Sequence, residues 1–210
     1  MPYFNIVAQT NENTVVTEYE PVKQRSDGYQ SEAALEKEFI HMLCEQGYTY
    51  LAIHTEEDMI KNLRSQLEEL NHYQFSDKEW DRFFKDSVAN PNEHIVEKTR
   101  TIQEDNVKNL KRDDGSTKNI TLIDKTNIHN NRLQVINQYK VNAAKGGREG
   151  DLGHEVSTEQ GAKHDNRYDV TVLVNGFPLV HIELKRRGVP IREAFNQIDR
   201  YHRDSFWAGS

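Results

Sequence analysis

The chain has 210 residues, enough for one domain or slightly more with a sizeable core. Hydrophobic residues make up 35% and charged residues 29%, which excludes a chain disordered by composition, and no apolar run reaches the length of a membrane-spanning helix. The formal net charge of −7 argues against a general coat for nucleic acid. Cys44 is the single cysteine and has no internal disulfide partner, so a reducing, cytoplasmic setting is expected. Its neighbours make it a core or helix-face residue. Asn119-Ile120-Thr121 matches a glycosylation sequon, but nothing else suggests secretion.

Residues 1–28 hold two short apolar runs, Phe4 to Val7 and Thr14 to Tyr19, which read as strands or as an arm packed on the domain. Ser31 to Gln46 is a helix: Ser31 is an N-cap, Glu32 suits the positive end, and Gly47 suits the C-terminal cap. Leu35, Phe39, Met42 and Leu43 form its expected buried stripe. Glu36 stands on a charged face with Glu32, Lys37 and Glu38, eleven positions before Gly47. Tyr48 to Ile53 is expected as the first core strand.

From Glu56 to about Glu104 the pattern is helical. Met59, Leu63, Leu67 and Leu70 recur at helical spacing, and Ser76-x-x-Glu79 is a capping box opening a helix with Trp80, Phe83 and Phe84. Asn90-Pro91 breaks that helix, and a third holds Ile95, Val96 and Ile102. These aromatics read as core, in an inserted helical subregion beside a sheet. Asn106 to Arg112, the turn Asp113-Asp114-Gly115, and Asn119 to Ile123 suggest a hairpin. Arg132 to Tyr139 alternates as a further strand. Residues 141–165 are rich in glycine, charge and small side chains and read as a mobile loop. Its His154 and His164 lack any metal-ligand spacing.

The stretch Tyr168 to Tyr201 organises the rest. Val170, Val172 and Val174 alternate with Asp169, Thr171 and Leu173. On the next strand Val180, Ile182 and Leu184 alternate with His181, Glu183 and Lys185. Asn175-Gly176 invites a two-residue turn, which pairs Val174 with Phe177 and Asp169 with Ile182 and so mixes the faces. A three-residue connection, or one bulge near Gly176 and Pro178, pairs Asp169 with Glu183 and Val170 with Ile182. Burying the valines and clustering the charges require the second register, so the local turn signal is expected to lose. Val189-Pro190 then starts a helix to about Phe206, with Gln197 and Tyr201 on one face.

Two carboxylates and a lysine on one face suit phosphodiester hydrolysis. The carboxylates hold one or two Mg²⁺ ions that neutralise phosphate charge and acidify water, and the lysine orients or deprotonates that water. Residues 163–203 carry eight Lys and Arg against five Asp and Glu, a net +3 on a remainder of −10. A locally basic surface suits contact with phosphate, while a solvated charged face is the plainer reading.

Asp169 followed by Glu183-Leu184-Lys185, the only acidic-x-Lys triplet in the chain, resembles the PD-(D/E)xK nuclease superfamily. Gln197-Ile198-Asp199-Arg200-Tyr201 is similar to its QxxxY motif. With Tyr29–Gly47, the run resembles the N-terminal nuclease domain of the R subunit of type I restriction enzymes, over residues 29–210. Tyr168 stands where the superfamily has proline, a mild departure because the proline is not a ligand. The resemblance implies an α/β, restriction-endonuclease-like fold, a mixed central sheet flanked by helices with residues 56–104 inserted. It implies Mg²⁺-dependent cleavage of double-stranded DNA. Asp169 and Glu183 would hold the metal, Glu36 would reach the metal cluster from the first helix, and Lys185 would position or activate water. Gln197 and Tyr201 would support them, and Arg186, Arg187 and Arg192 would contact phosphate.

Further strands usually follow the QxxxY helix in that superfamily, so a piece of a longer polypeptide is expected, with an ATP-driven translocase beyond it. No Walker-type loop occurs in these residues, so ATP belongs elsewhere. Sequence recognition would fall to a specificity subunit and methylation to a modification subunit using S-adenosylmethionine. The rival readings are a repair or recombination nuclease of the same superfamily and a non-catalytic module that docks DNA or partner subunits.

Overall fold

A computed structural model of the chain describes residues 3–9, 15–20, 31–93, 95–141, 166–186, 188–190, 192 and 194. Strands β1 (Tyr3–Gln9) and β2 (Val15–Glu20) pair antiparallel as a two-stranded sheet, in line with the strand reading of that arm. Helix α1 (Glu32–Glu45) begins where Ser31 Oγ accepts the Ala34 N–H at 3.1 Å. It ends where Gly47 takes a φ of 94°, so that the N–H groups of Gly47 and Tyr48 reach the carbonyls of Cys44 and Leu43 at 3.0 and 3.1 Å. That closes the orphan carbonyls of the last turn. The expected stripe is shallower than its pattern suggested. Leu35, Phe39 and Leu43 are only half-buried, and Met42 is exposed.

The strand expected over Tyr48 to Ile53 shortens to β3 (Thr49–Tyr50), extended by one bond from Leu51 N–H to the Val135 carbonyl at 2.9 Å. The chain then turns into the next helix, where Thr55 Oγ1 accepts the Asp58 N–H. Helices α2 (Glu56–Asn71), α3 (Asp77–Ser87) and α4 (Ile95–Glu104) fill the expected helical stretch. Met59, Leu63 and Leu67 are wholly buried. In the expected α4 stripe Ile102 packs on the core while Val96 is exposed. Strands β4 (Val107–Lys111) and β5 (Thr117–Thr121) pair antiparallel around the Asp113–Gly115 turn. The Asn71 side chain binds β5 to α2, accepting the Thr121 N–H at 2.7 Å and donating to the Thr121 carbonyl at 2.9 Å. The helices, this hairpin and the main sheet share one hydrophobic core that includes Leu63, Phe83, Ile120, Leu173 and Phe177.

Glu79 locks α3 to that hairpin. Only 5% exposed, it accepts from the Tyr73 hydroxyl at 2.8 Å, the Ser76 N–H at 3.1 Å and the Asp113 N–H at 3.0 Å. The bond from Asp113 leads the effects that hold its carboxyl below the ordinary glutamate range, ahead of the opposing effect of burial. All three partners donate, so Glu79→Gln turns an amide NH₂ toward at least one donor and should cost about 1–3 kcal/mol. A depressed carboxyl stabilises the fold above its unfolded value, and that contribution is lost as pH falls through the folded one. The gap between wild type and variant in urea denaturation should therefore be full at pH 7 and shrink below about pH 4. A gap independent of pH would contradict this role for Glu79.

The main sheet adds β6 (Leu133–Val141), β7 (Asn166–Val174) and β8 (Phe177–Ile182), in the order β3-β6-β7-β8. β3 runs parallel to β6, and the other pairs are antiparallel. At the β7–β8 turn both local and global signals are satisfied, so the expectation that the turn signal loses is corrected. Asn175 and Gly176 take φ values of 50° and 84°, and Val174 pairs with Phe177. One bulge then shifts the register: Leu173 pairs with Pro178 and Val172 with Val180, leaving Leu179 as the extra residue, so that Val170 faces Ile182 as expected. The buried Asn175 is held left-handed by its own side chain, which donates to the Leu122 carbonyl at 3.1 Å and accepts the Arg132 N–H at 2.8 Å.

β7 is central and buried on both faces: Val170, Thr171, Val172 and Leu173 are all inside. Gln134 exchanges amide bonds with Asn62 of α2, and Asn137 donates to Glu36 of α1. Positions 134 and 137 differ by an odd number within a regular pairing, so α2 and α1 lie on opposite faces of the sheet. Among the described residues β8 is an edge, and Val180, expected on an apolar face, is 49% exposed. No helix among the described residues is long and apolar enough to cross a membrane. The loop read over 141–165 lies outside the described residues beyond Val141, as does most of the helix expected from Val189, of which Arg192 and Ala194 are helical.

Candidate active site

The two ends of the β7–β8 hairpin bring three chemically active side chains together. Asp169 sits on β7, while Glu183, Leu184 and Lys185 lie just past the end of β8 rather than on it. A side chain takes over there from the backbone ladder. The Asp169 carboxylate accepts the Leu184 N–H at 2.9 Å and draws the segment back alongside β7. Asp169 and Glu183 are neighbours, near enough for the Asp169 charge to act on the Glu183 carboxyl. Lys185 Nζ donates to Glu183 Oε1 at 2.6 Å, and the Glu183 side chain is only 3% exposed. The strand alternation that motivated the three residues thus corresponds to one cluster.

Burial pushes the Glu183 carboxyl above its ordinary value, the neighbouring Asp169 charge pushes the same way, and Lys185 opposes both. For Lys185, burial works against the ammonium, but the bond and charge of Glu183, with Asp169 and Glu32 behind it, outweigh burial and raise it. Two carboxylates held this close at a buried place repel when both are ionised. A hard divalent cation with oxygen ligands relieves that repulsion where one lysine only partly does, so the donor set fits Mg²⁺ or Mn²⁺. Among the described residues no group of three or more His, Cys, Asp and Glu converges as a metal cage.

The Glu36 carboxylate accepts from Asn137 Nδ2 at 2.6 Å and from the Gln138 side-chain amide, and among the described residues it makes no three-carboxylate metal group with Asp169 and Glu183. One turn earlier on α1, Glu32 accepts the Arg186 N–H at 3.4 Å. Glu32, Asn137 and Gln138 were not singled out from the sequence. The spacing of Glu32 and Glu36, four apart on one helix face, was the available signal. Along the sheet, Thr171 Oγ1 and His181 Nδ1 meet at 3.0 Å, and the His181 ring stacks on Tyr168 at 4.2 Å. Arg186 and Arg192 are exposed, whereas Arg187, Gln197 and Tyr201 lie outside the described residues.

With this geometry in hand, comparison with known proteins is specific. Residues 29–209 match the family described as type I restriction enzyme R protein N terminus. The chain is 43% identical over 201 residues to the EcoprrI type I restriction enzyme endonuclease subunit of Escherichia coli, covering 95% of this chain and 58% of that protein. It is 36% identical over 183 residues to a type I restriction enzyme endonuclease subunit of Staphylococcus saprophyticus, covering 85% of this chain and 17% of that one. A counterpart in Staphylococcus aureus is 35% identical over the same shares. The chain therefore spans between about a sixth and three-fifths of the length of these relatives.

Proposed function

The chain belongs to the family of type I restriction enzyme R protein N termini, and on that basis we propose that it is a restriction-endonuclease-like domain that cleaves duplex DNA with Mg²⁺. The observation that carries this reading is the meeting of Asp169, Glu183 and Lys185 at one end of the hairpin, with Lys185 Nζ 2.6 Å from the buried Glu183. Asp169 and Glu183 would hold the metal. Bound there, Mg²⁺ would neutralise charge on the scissile phosphate and acidify a water molecule.

The remaining work belongs to the chain. Lys185 keeps its proton, so its Nζ donates to the phosphate oxygen on which negative charge grows, and it aligns the attacking water. Asp169 also serves the backbone. By accepting the Leu184 N–H it fixes the chain between Glu183 and Lys185, so both side chains leave a rigid segment. The exposed Arg186 and Arg192 would meet backbone phosphates on either side of the scissile bond. Gln197 and Tyr201 would brace the site from the following helix. Modification and specificity subunits, ATP-driven translocation by the longer polypeptide, and S-adenosylmethionine on the modification subunit complete this reading.

The test is cleavage of unmodified plasmid DNA by the R polypeptide assembled with those subunits and ATP. Cleavage should require Mg²⁺, stop on chelation with EDTA, and be abolished in Asp169→Ala. Cutting that persists in EDTA, or in Asp169→Ala, would refute the metal-nuclease reading.

A further inference from the structure

Gln138 sits in β6 with a φ of 54°, a left-handed conformation that a glutamine rarely adopts. It falls between the pairs Asn137–Val170 and Tyr139–Tyr168, so it stands directly across from Asp169, where the ladder is interrupted. Strain of this kind persists only where the surroundings hold it in place. Here the side-chain amide is bound to one oxygen of Glu36, while Asn137 Nδ2 takes the other at 2.6 Å. Tyr50 steadies Asn137 in turn, its hydroxyl donating to Asn137 Oδ1 at 2.9 Å. The same face of α1 reaches the far side of the site through Glu32, which accepts the Arg186 N–H. Helix α1 therefore bridges β6 and the segment after β8, with Asp169 on the strand between them.

We propose that Gln138 is a positioning residue, whose strained backbone places an amide on Glu36 and so fixes α1 across the Asp169–Glu183–Lys185 cluster. This rests on the metal-nuclease reading of that cluster and adds to it a role for three further residues: Asn137 and Gln138 as an amide clamp, and Glu36 as the carboxylate they grip. Residues that orient a metal site from behind typically change affinity by about 10–100-fold when altered.

The experiment is calorimetric titration of Mn²⁺ into wild type, Gln138→Gly, Glu36→Gln and Asp169→Ala, with a thermal melt of each. Glycine is at ease at this φ, so relief of strain offsets the lost hydrogen bond and Gln138→Gly should melt within a few degrees of wild type. Its Mn²⁺ affinity should nevertheless fall by at least about tenfold. A merely structural role would change melting and binding together. Glu36→Gln, which keeps size and loses the charge the amides grip, should show the same loss of affinity and carries the test if Gln138→Gly does not fold. Wild-type affinity in folded Gln138→Gly, or in Glu36→Gln, would overturn the proposal. Unchanged binding by Asp169→Ala would instead remove the metal site itself, and the proposal with it.

Discussion

Replacing Lys185 with methionine should lower DNA cleavage by roughly 10²–10⁴-fold while leaving the fold intact. Methionine is unbranched and of similar length, so it keeps the apolar packing of a side chain that is 20% exposed and removes only the ammonium. Two losses then coincide. The donor that meets growing charge on the phosphate is gone, and Glu183 keeps the burial and the Asp169 charge that push its carboxyl up while losing the cation that opposed them. Glu183 is then protonated over a wider pH range, so the remaining cleavage should recover partly as pH rises. Lys185→Arg should restore the charge balance without restoring the rate, because a planar guanidinium does not present its donors as a compact ammonium does. Plasmid cleavage followed against pH for the three proteins checks this. Cleavage by Lys185→Met at the wild-type rate would contradict the role assigned to Lys185.

The largest stability effect is expected at Gly176. A Cβ there would lie 2.6 Å from Leu63 Cα and 3.1 Å from Leu63 N, and the residue has a φ of 84°. The obstruction is the backbone of α2, which no rotamer change can clear. Gly176→Ala therefore combines a left-handed alanine, about 1–2 kcal/mol, with displacement of a packed helix, about 1–3 kcal/mol more. Gly115 supplies the control: its φ is also 84°, and nothing lies within 4 Å of an added Cβ. Gly115→Ala should show only the backbone cost. Equal losses at the two glycines in urea denaturation would mean that the turn does not rest on α2. The contact also matters for the site, since the turn sets the height of β8 and so of Glu183.

Much of the fold was legible because it rests on short-range chemistry. The Ser31 cap, the Gly47 stop, the Ser76–Glu79 box and the Met59-Leu63-Leu67 spacing are each written within one or two helical turns, and each has its expected place. The register of the hairpin was legible because one register faces Val170 with Ile182 and sets Asp169 beside Glu183; burial alone does not choose it, since β7 is buried on both faces. How the chain reached that register was legible in part: one bulge near Pro178 was an expected route, and the extra residue is Leu179, but the two-residue turn was kept where it was expected to yield. The candidate site divides in the same way. Asp169, Glu183 and Lys185 announce themselves as charges in an apolar alternating pattern, although Glu183 and Lys185 lie just past the end of β8. The clamp on Glu36 depends on Asn137 and Gln138, more than a hundred residues further along the chain, with Gln138 in a strained conformation that no propensity for glutamine would suggest.

The chemistry proposed for the site stands or falls with a divalent metal held by Asp169 and Glu183. Calorimetric titration of Mn²⁺ or Mg²⁺ into this chain and into Glu183→Ala reads that binding without any need for cleavage. The expected result is a binding event in the wild-type chain that Glu183→Ala loses. No heat of binding in the wild type, or the same isotherm in both proteins, would contradict the metal site.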